Sequence, residues 1–201
     1  MQTTPAMPQA NLLATYAAPE ILFALCMDRR QGTLYGGGTS AAVHTAAVNS
    51  QAKSAEVAWT NHRNYISGLA FVAGAAFDDV VVSAGFDRQL IWTRACDGVP
   101  VRALAAHDAW IRDLALFDDG SRLATVGDDM RLKVWETATG RLIHVLEGHA
   151  RQTPQGYATS LYCVAVSPDG QYLASGDRSG EVCLWEARTG KLLQRLKTPD
   201  F

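Results

Sequence analysis

The chain has 201 residues, 48% of them hydrophobic and 19% charged, enough for one domain with a full apolar core. Its net charge of -2 supplies no basic face, the first requirement for nucleic acid, so no nucleic-acid partner is expected. The apolar run ILFALCM at 21–27 ends after seven residues at Asp28, far short of a bilayer span, so no membrane role is expected either.

Residues 1–20 are rich in Pro and Ala, lack Lys and Arg, and read as an N-terminal extension. Without a basic start and an apolar stretch they make a poor secretory signal, so a cytoplasmic location is expected. Residues 21–60 have the rhythm of short strands. Gly36, Gly37 and Gly38 are followed by no Lys-Ser/Thr pair, so they suit a close strand approach better than a phosphate loop. From residue 61 onward the chain repeats itself. SRLATVGDDMRLKVWETATGRLI (121–143) and QYLASGDRSGEVCLWEARTGKLL (171–193) align without a gap and share seven of 23 positions. DVVVSAGFDRQLIWTRACDGVPV (79–101) fits with one residue missing near the turn. Trp92, Trp135 and Trp185 close the three copies. A period of roughly 40–50 residues signals a repeat architecture.

Each copy reads as four short strands with a turn about every ten residues, the pattern of an antiparallel meander. In the third copy the strands fall at 114–117, 122–126, 131–135 and 142–146, with Asp-Gly and Thr-Gly at turns where glycine tolerates positive φ. A four-stranded sheet with two apolar faces buries both by stacking on its neighbours around an axis, which is a β-propeller. The expected fold is all-β, with four blades: 21–60, 61–105, 106–147 and 148–201. The fourth carries an insertion at 150–160, since His149 to Trp185 spans 36 residues and His107 to Trp135 only 28. Cys26, Cys96, Cys163 and Cys183 form no C-x-x-C pair, so no metal is expected, and no motif calls for a cofactor.

These segments resemble WD repeats. Gly148-His149, Ala106-His107 and Asn61-His62 precede the copies. Thr93, Glu136 and Glu186 follow the Trp where that family favours Asp, and Ser167-Pro168-Asp169-Gly170 is its usual first turn. The resemblance is strong over 61–197 and weak over 21–60, a degenerate first blade. It implies structural hydrogen-bond tetrads: His107, Thr125, Asp129 and Trp135; His62, Ser83, Asp87 and Trp92, with Trp92 one residue closer to its Asp; and His149, Ser175 and Trp185. In the last set Ser179 stands where Asp belongs and Asp177 lies two residues earlier, so a weaker relay is expected. Ser40 and His44 lie near the expected places in the first blade without making a set. A His, a hydroxyl and an Asp also fit a catalytic triad, but recurrence once per repeat suits a buried strut better than a catalyst.

The resemblance further implies a non-catalytic interaction scaffold, with protein partners contacted through the top face. The family's contact positions fall on Tyr65, Ser67, Phe86, Trp110, Arg112, Asp128, Tyr162 and Arg178. Trp110, in the loop HDAWIRD, either contacts a partner or packs on the neighbouring blade. The alternative function is an enzyme or sensor using the central channel, but the inner stretches 68–71, 113–116 and 163–166 are mostly apolar. Family rings usually hold seven or eight blades, so a second copy, another chain or a longer parent chain is expected to complete this one.

Overall fold

The computed structural model describes residues 15, 17–18, 20–48, 54–74, 78–153 and 155–197. The extension at 1–20 falls mostly outside them, as do 198–201 of the last blade and Pro154 of its insertion. The described residues form sixteen strands in four antiparallel sheets, with no helix among them. Blade 1 is β1 (Leu22–Asp28), β2 (Thr33–Gly38), β3 (Val43–Ala47) and β4 (Glu56–Trp59). Blade 2 is β5 (Ile66–Val72), β6 (Val80–Gly85), β7 (Gln89–Arg94) and β8 (Pro100–Ala105). Blade 3 is β9 (Ile111–Phe117), β10 (Arg122–Gly127), β11 (Arg131–Glu136) and β12 (Leu142–Glu147). Blade 4 is β13 (Leu161–Val166), β14 (Tyr172–Asp177), β15 (Glu181–Glu186) and β16 (Leu192–Lys197). Strands lie in chain order within each sheet, as tight hairpins require.

The blades stand side by side through their first strands: β1 touches β5, β5 touches β9, and β9 touches β13. Strand alternation sends successive residues to opposite faces, so each seam is built from one face of each blade. Tyr35, Val43, Ile66 and Val81 fill the first seam. Val82, Leu90, Trp92, Leu123 and Trp135 fill the second. Val126, Leu132, Val134, Leu173 and Trp185 fill the third. A blade between two neighbours is buried on both faces, and every residue of β6 is buried. In blade 4 burial alternates along β14, because only the face toward blade 3 is covered. Its outer face leaves Cys163, Ala165 and Leu196 exposed. At the other end Leu25 and Met27 of blade 1 are exposed in the same way. The four blades are thus a partial propeller with two open apolar faces.

Candidate interaction face

One irregularity recurs in all four blades. Near its start, the first strand shifts register against the second, between Leu22 and Ala24, Ile66 and Gly68, and Leu161 and Cys163. In blade 3 Gly127 pairs Ile111 whereas Val126 pairs Asp113. The residues skipped are Phe23, Ser67, Arg112 and Tyr162. A bulge re-aims the side chain it releases, so the fold presents these four at matching places along the inner edge.

Three of them join a continuous row of rings. The Phe23 ring lies 5.9 Å from Tyr65, and Tyr65 lies 5.6 Å from Phe86. Phe86 stacks on Trp110 at 4.6 Å with the planes 3° apart. The Arg112 guanidinium extends the row, 4.9 Å from Phe86, 5.2 Å from Trp110 and 5.2 Å from the Tyr162 ring of blade 4. Arg112 is fixed by a two-point bond to Asp128, its Nε and Nη2 donating at 2.7 and 2.8 Å. That bond holds the guanidinium pKa above its ordinary value. Phe23, Tyr65, Trp110 and Tyr162 remain between 41% and 51% exposed, so the ladder is open to solvent over all four blades. A shallow groove lined by Arg88, Asp108, Trp110 and Asp128 runs beside it.

Of the expected contact residues, Tyr65, Phe86, Trp110, Arg112, Asp128 and Tyr162 therefore come together. Ser67 turns its hydroxyl to the Ile111 carbonyl at 2.6 Å and ties blade 2 to blade 3. Arg178 is exposed in the loop between β14 and β15, and its backbone N–H donates to the Ser160 carbonyl as those of Phe86 and Asp128 donate to the carbonyls of Tyr65 and Trp110. Phe23 was not among the expected residues. Aligning its strand with the bulge positions of the later blades is the signal that finds it. The insertion at 150–160 closes on itself through a Gln152–Ala158 bridge and exposes Tyr157.

Beneath the ladder lie the relays. In blade 3 the Trp135 indole donates to Thr125 at 2.9 Å, Thr125 lies 2.8 Å from His107 Nε2, and His107 Nδ1 lies 2.9 Å from Asp129. Every member is satisfied when the imidazole is neutral with its proton on Nδ1: the hydroxyl donates to Nε2, and Nδ1–H donates to the carboxylate. Burial alone would raise the Asp129 carboxyl. The bonds from His107 and from backbone N–H groups outweigh it and hold the pKa below the usual range.

Two expectations need correction. Trp92 is outside its relay. Thr125 pairs Lys133, two residues before Trp135, whereas Ser83 pairs Ile91, one residue before Trp92. The missing residue flips the indole to the opposite face, where it packs toward blade 3 and its Nε1 has no acceptor among the described residues. Thr93 takes the vacated position, and its hydroxyl accepts from Asn61 at 3.1 Å. His62 still bonds Ser83 at 2.8 Å and Asp87 at 3.0 Å. The second correction concerns blade 4, whose relay is complete. Trp185 donates to Ser175 at 2.9 Å, and His149 lies 2.8 Å from both Ser175 and Asp177. Asp177 ends β14 where Gly127 ends β10, and a Cβ on Gly127 would lie 3.2 Å from His107 Nδ1. The strand end thus faces the imidazole directly, and Asp177 reaches it from there. Ser179, in the usual Asp position, donates its hydroxyl to Asp177 at 2.7 Å.

His149, Glu181 and Cys183 bring ligand-type atoms within 4.8 Å of one another. Both His149 nitrogens already serve the relay, and Glu181 accepts from Arg195 at 2.8 Å. Burial, with Glu181 beside it, pushes the Cys183 thiol up to about 11. The trio is poorly disposed to take a cation. Along the inner strands Asp113 carries a carboxyl raised by burial, and its Oδ2 accepts from the Val164 N–H at 3.0 Å, bridging blades 3 and 4.

The family described as WD domain, G-beta repeat matches residues 98–136 and 140–186. Among curated proteins, the U3 small nucleolar RNA-interacting protein 2 of Homo sapiens is 32% identical over 123 residues, 59% of this chain and 26% of that protein. Nuclear distribution protein nudF of Aspergillus niger is 28% identical over 156 residues, 70% of this chain and 34% of that protein. Among solved structures, the WD40 β-propeller domain of Doa1 superposes with a TM-score of 0.70 at 21% identity, covering 92% of this chain and 57% of that one. The structure of U3-55K gives 0.71 at 22% identity, covering 89% and 50%. The chain therefore spans about half of these solved propellers and about a quarter and a third of the two curated relatives.

Proposed function

From the premise that this chain belongs to the WD-repeat β-propeller family, we propose that it is a non-catalytic scaffold or accessory subunit that docks a protein partner on its aromatic ladder. The observation that carries the reading is the unbroken row from Phe23 through Tyr65, Phe86, Trp110 and Arg112 to Tyr162. Tyr, Trp and Arg are the residue types enriched in binding hot spots, and here each is held by its neighbours before a partner arrives, which lowers the cost of ordering. The guanidiniums of Arg63, Arg88 and Arg178 have no ion pair among the described residues, so a segment carrying carboxylates suits the rim. Tyr157 on the insertion offers a further contact. The net charge of -2 and the carboxylates of Asp87, Asp129 and Asp177 below the face favour protein over nucleic acid. We place this activity in the cytoplasm.

Capture of binding proteins by the wild type and by the double variant Trp110→Ala, Arg112→Ala tests this reading. A partner lost from the variant supports it, and an identical partner set removes the ladder from the site. The central-channel alternative predicts instead that binding survives in that variant.

The open faces of blades 1 and 4 motivate a second proposal, that a further set of blades completes the ring. The half-coverage of both solved propellers supports it. A second copy, another chain or a longer parent chain could supply those blades. Native mass spectrometry with a surface-sensitive dye discriminates: a monomer that binds no dye refutes completion.

A further inference from the structure

The flipped Trp92 has a second consequence, on the edge opposite the ladder. A cleft of about 250 Å³ opens there between blades 2 and 3, lined by Val72, Val80, Trp92, Val101, Ser121 and Thr137 among others. The neighbouring seam explains why. Phe117 ends β9 and is buried against blade 4, in one cluster with Ala187. Val72 ends β5 at the matching place, and Thr137 matches Ala187: their N–H groups make the same bond, to Ser121 O and Gln171 O. Trp92, in the position of Val134, fills part of the space that Phe117 fills in the next seam, and the remainder is the cleft.

Its lining is apolar except at two places. Trp92 and Thr137 are buried, and neither the indole Nε1 nor the Thr137 hydroxyl has a hydrogen-bond partner among the described residues. Buried polar groups are rarely left so, and each orphan is costly. The Arg102 guanidinium lies 5.3 Å from the Trp92 ring, and Asp78 and Asp119 also border the cleft, so the rim carries both signs of charge.

We propose that this cleft is a binding site for a small neutral aromatic compound bearing a carbonyl oxygen, of the aryl amide class. The ring takes the place that Phe117 takes one blade on. The carbonyl accepts from both the Trp92 indole and the Thr137 hydroxyl, with the small side-chain adjustments that binding commonly brings. A charged ligand gains nothing from a rim of mixed sign. The site is independent of the ladder and of any ring closure.

The test is a titration of the isotope-labelled protein with benzamide, following the Trp92 indole N–H resonance, which the Trp92→Phe variant assigns. A saturable shift is expected. Toluene, which has no acceptor, should bind about ten-fold more weakly. Val72→Phe should abolish binding by supplying the missing ring. Thr137→Val keeps the shape and removes only the hydroxyl, so it should weaken benzamide and leave toluene unchanged. No saturable shift up to about 10 mM, poor affinity even for a ligand of this size, overturns the proposal. So does benzamide affinity undiminished in a folded Val72→Phe protein, or, should that variant not fold, undiminished in Thr137→Val.

Discussion

Asp128 and Asp129 are neighbours in the chain and serve different ends. Asp129 is buried and bonds His107 at the end of the relay that runs through Thr125 to Trp135, whereas Asp128 clamps Arg112 beside the exposed rings. Both layers also use a tryptophan, Trp135 in the relay and Trp110 in the ladder. The relay satisfies buried donors and acceptors and so stabilises the blade. The ladder leaves ring area in water, which adds little to folding and remains available to a partner. Residue type alone does not distinguish these roles, and burial does.

Disrupting the relay should give the largest effects. Asp129→Ala leaves His107 without its acceptor, and a loss of about 1–3 kcal/mol is expected in urea unfolding. Asp87→Ala should fall at the lower end of that range, because the blade 2 relay has already lost its indole. Equal losses at the two sites would mean that the indole adds nothing to the chain of bonds.

Acid should weaken the relays next. The carboxyl pKa values of Asp87, Asp129 and Asp177 are all lowered in the fold: burial raises each, and hydrogen bonds outweigh it. A carboxylate whose folded pKa lies below its unfolded one adds stability that is present above the unfolded value, about 4, and is lost as pH falls through the folded one. The melting temperature should thus be flat near neutrality with respect to these groups and fall in acid, and Asp129→Asn should flatten the acid limb. A limb unchanged in that variant would break the assignment.

The ladder should give the smallest stability effects. Arg112→Ala removes a partly exposed ion pair and should cost under about 1 kcal/mol. Tyr65→Ala should behave similarly, because much of its ring is already in water. A larger loss in either would move that residue from the ladder to the core.

Much of this division was legible in the sequence. The gap-free alignment of 121–143 with 171–193 and the turns between strands specify the sheets, because period-two burial and tight hairpins leave little freedom. The flip of Trp92 was legible in principle. Trp135 and Trp185 stand ten residues after Thr125 and Ser175, Trp92 nine after Ser83, and an odd difference across the same turn changes the face. Asp177 was harder to anticipate, since its reach depends on a strand end lying against an imidazole, a distance that spacing does not encode. Phe23 was hidden by the degenerate first blade, where Ala46 and Gly36 occupy the Trp and hydroxyl positions and remove the landmarks.

The division between strut and contact surface is tested most directly by measuring the unfolding free energy and partner retention together in Trp110→Ala, Arg112→Ala. The expected result is stability within about 1 kcal/mol of wild type with the partner lost. A steep fall in stability, or a retained partner, would contradict the account.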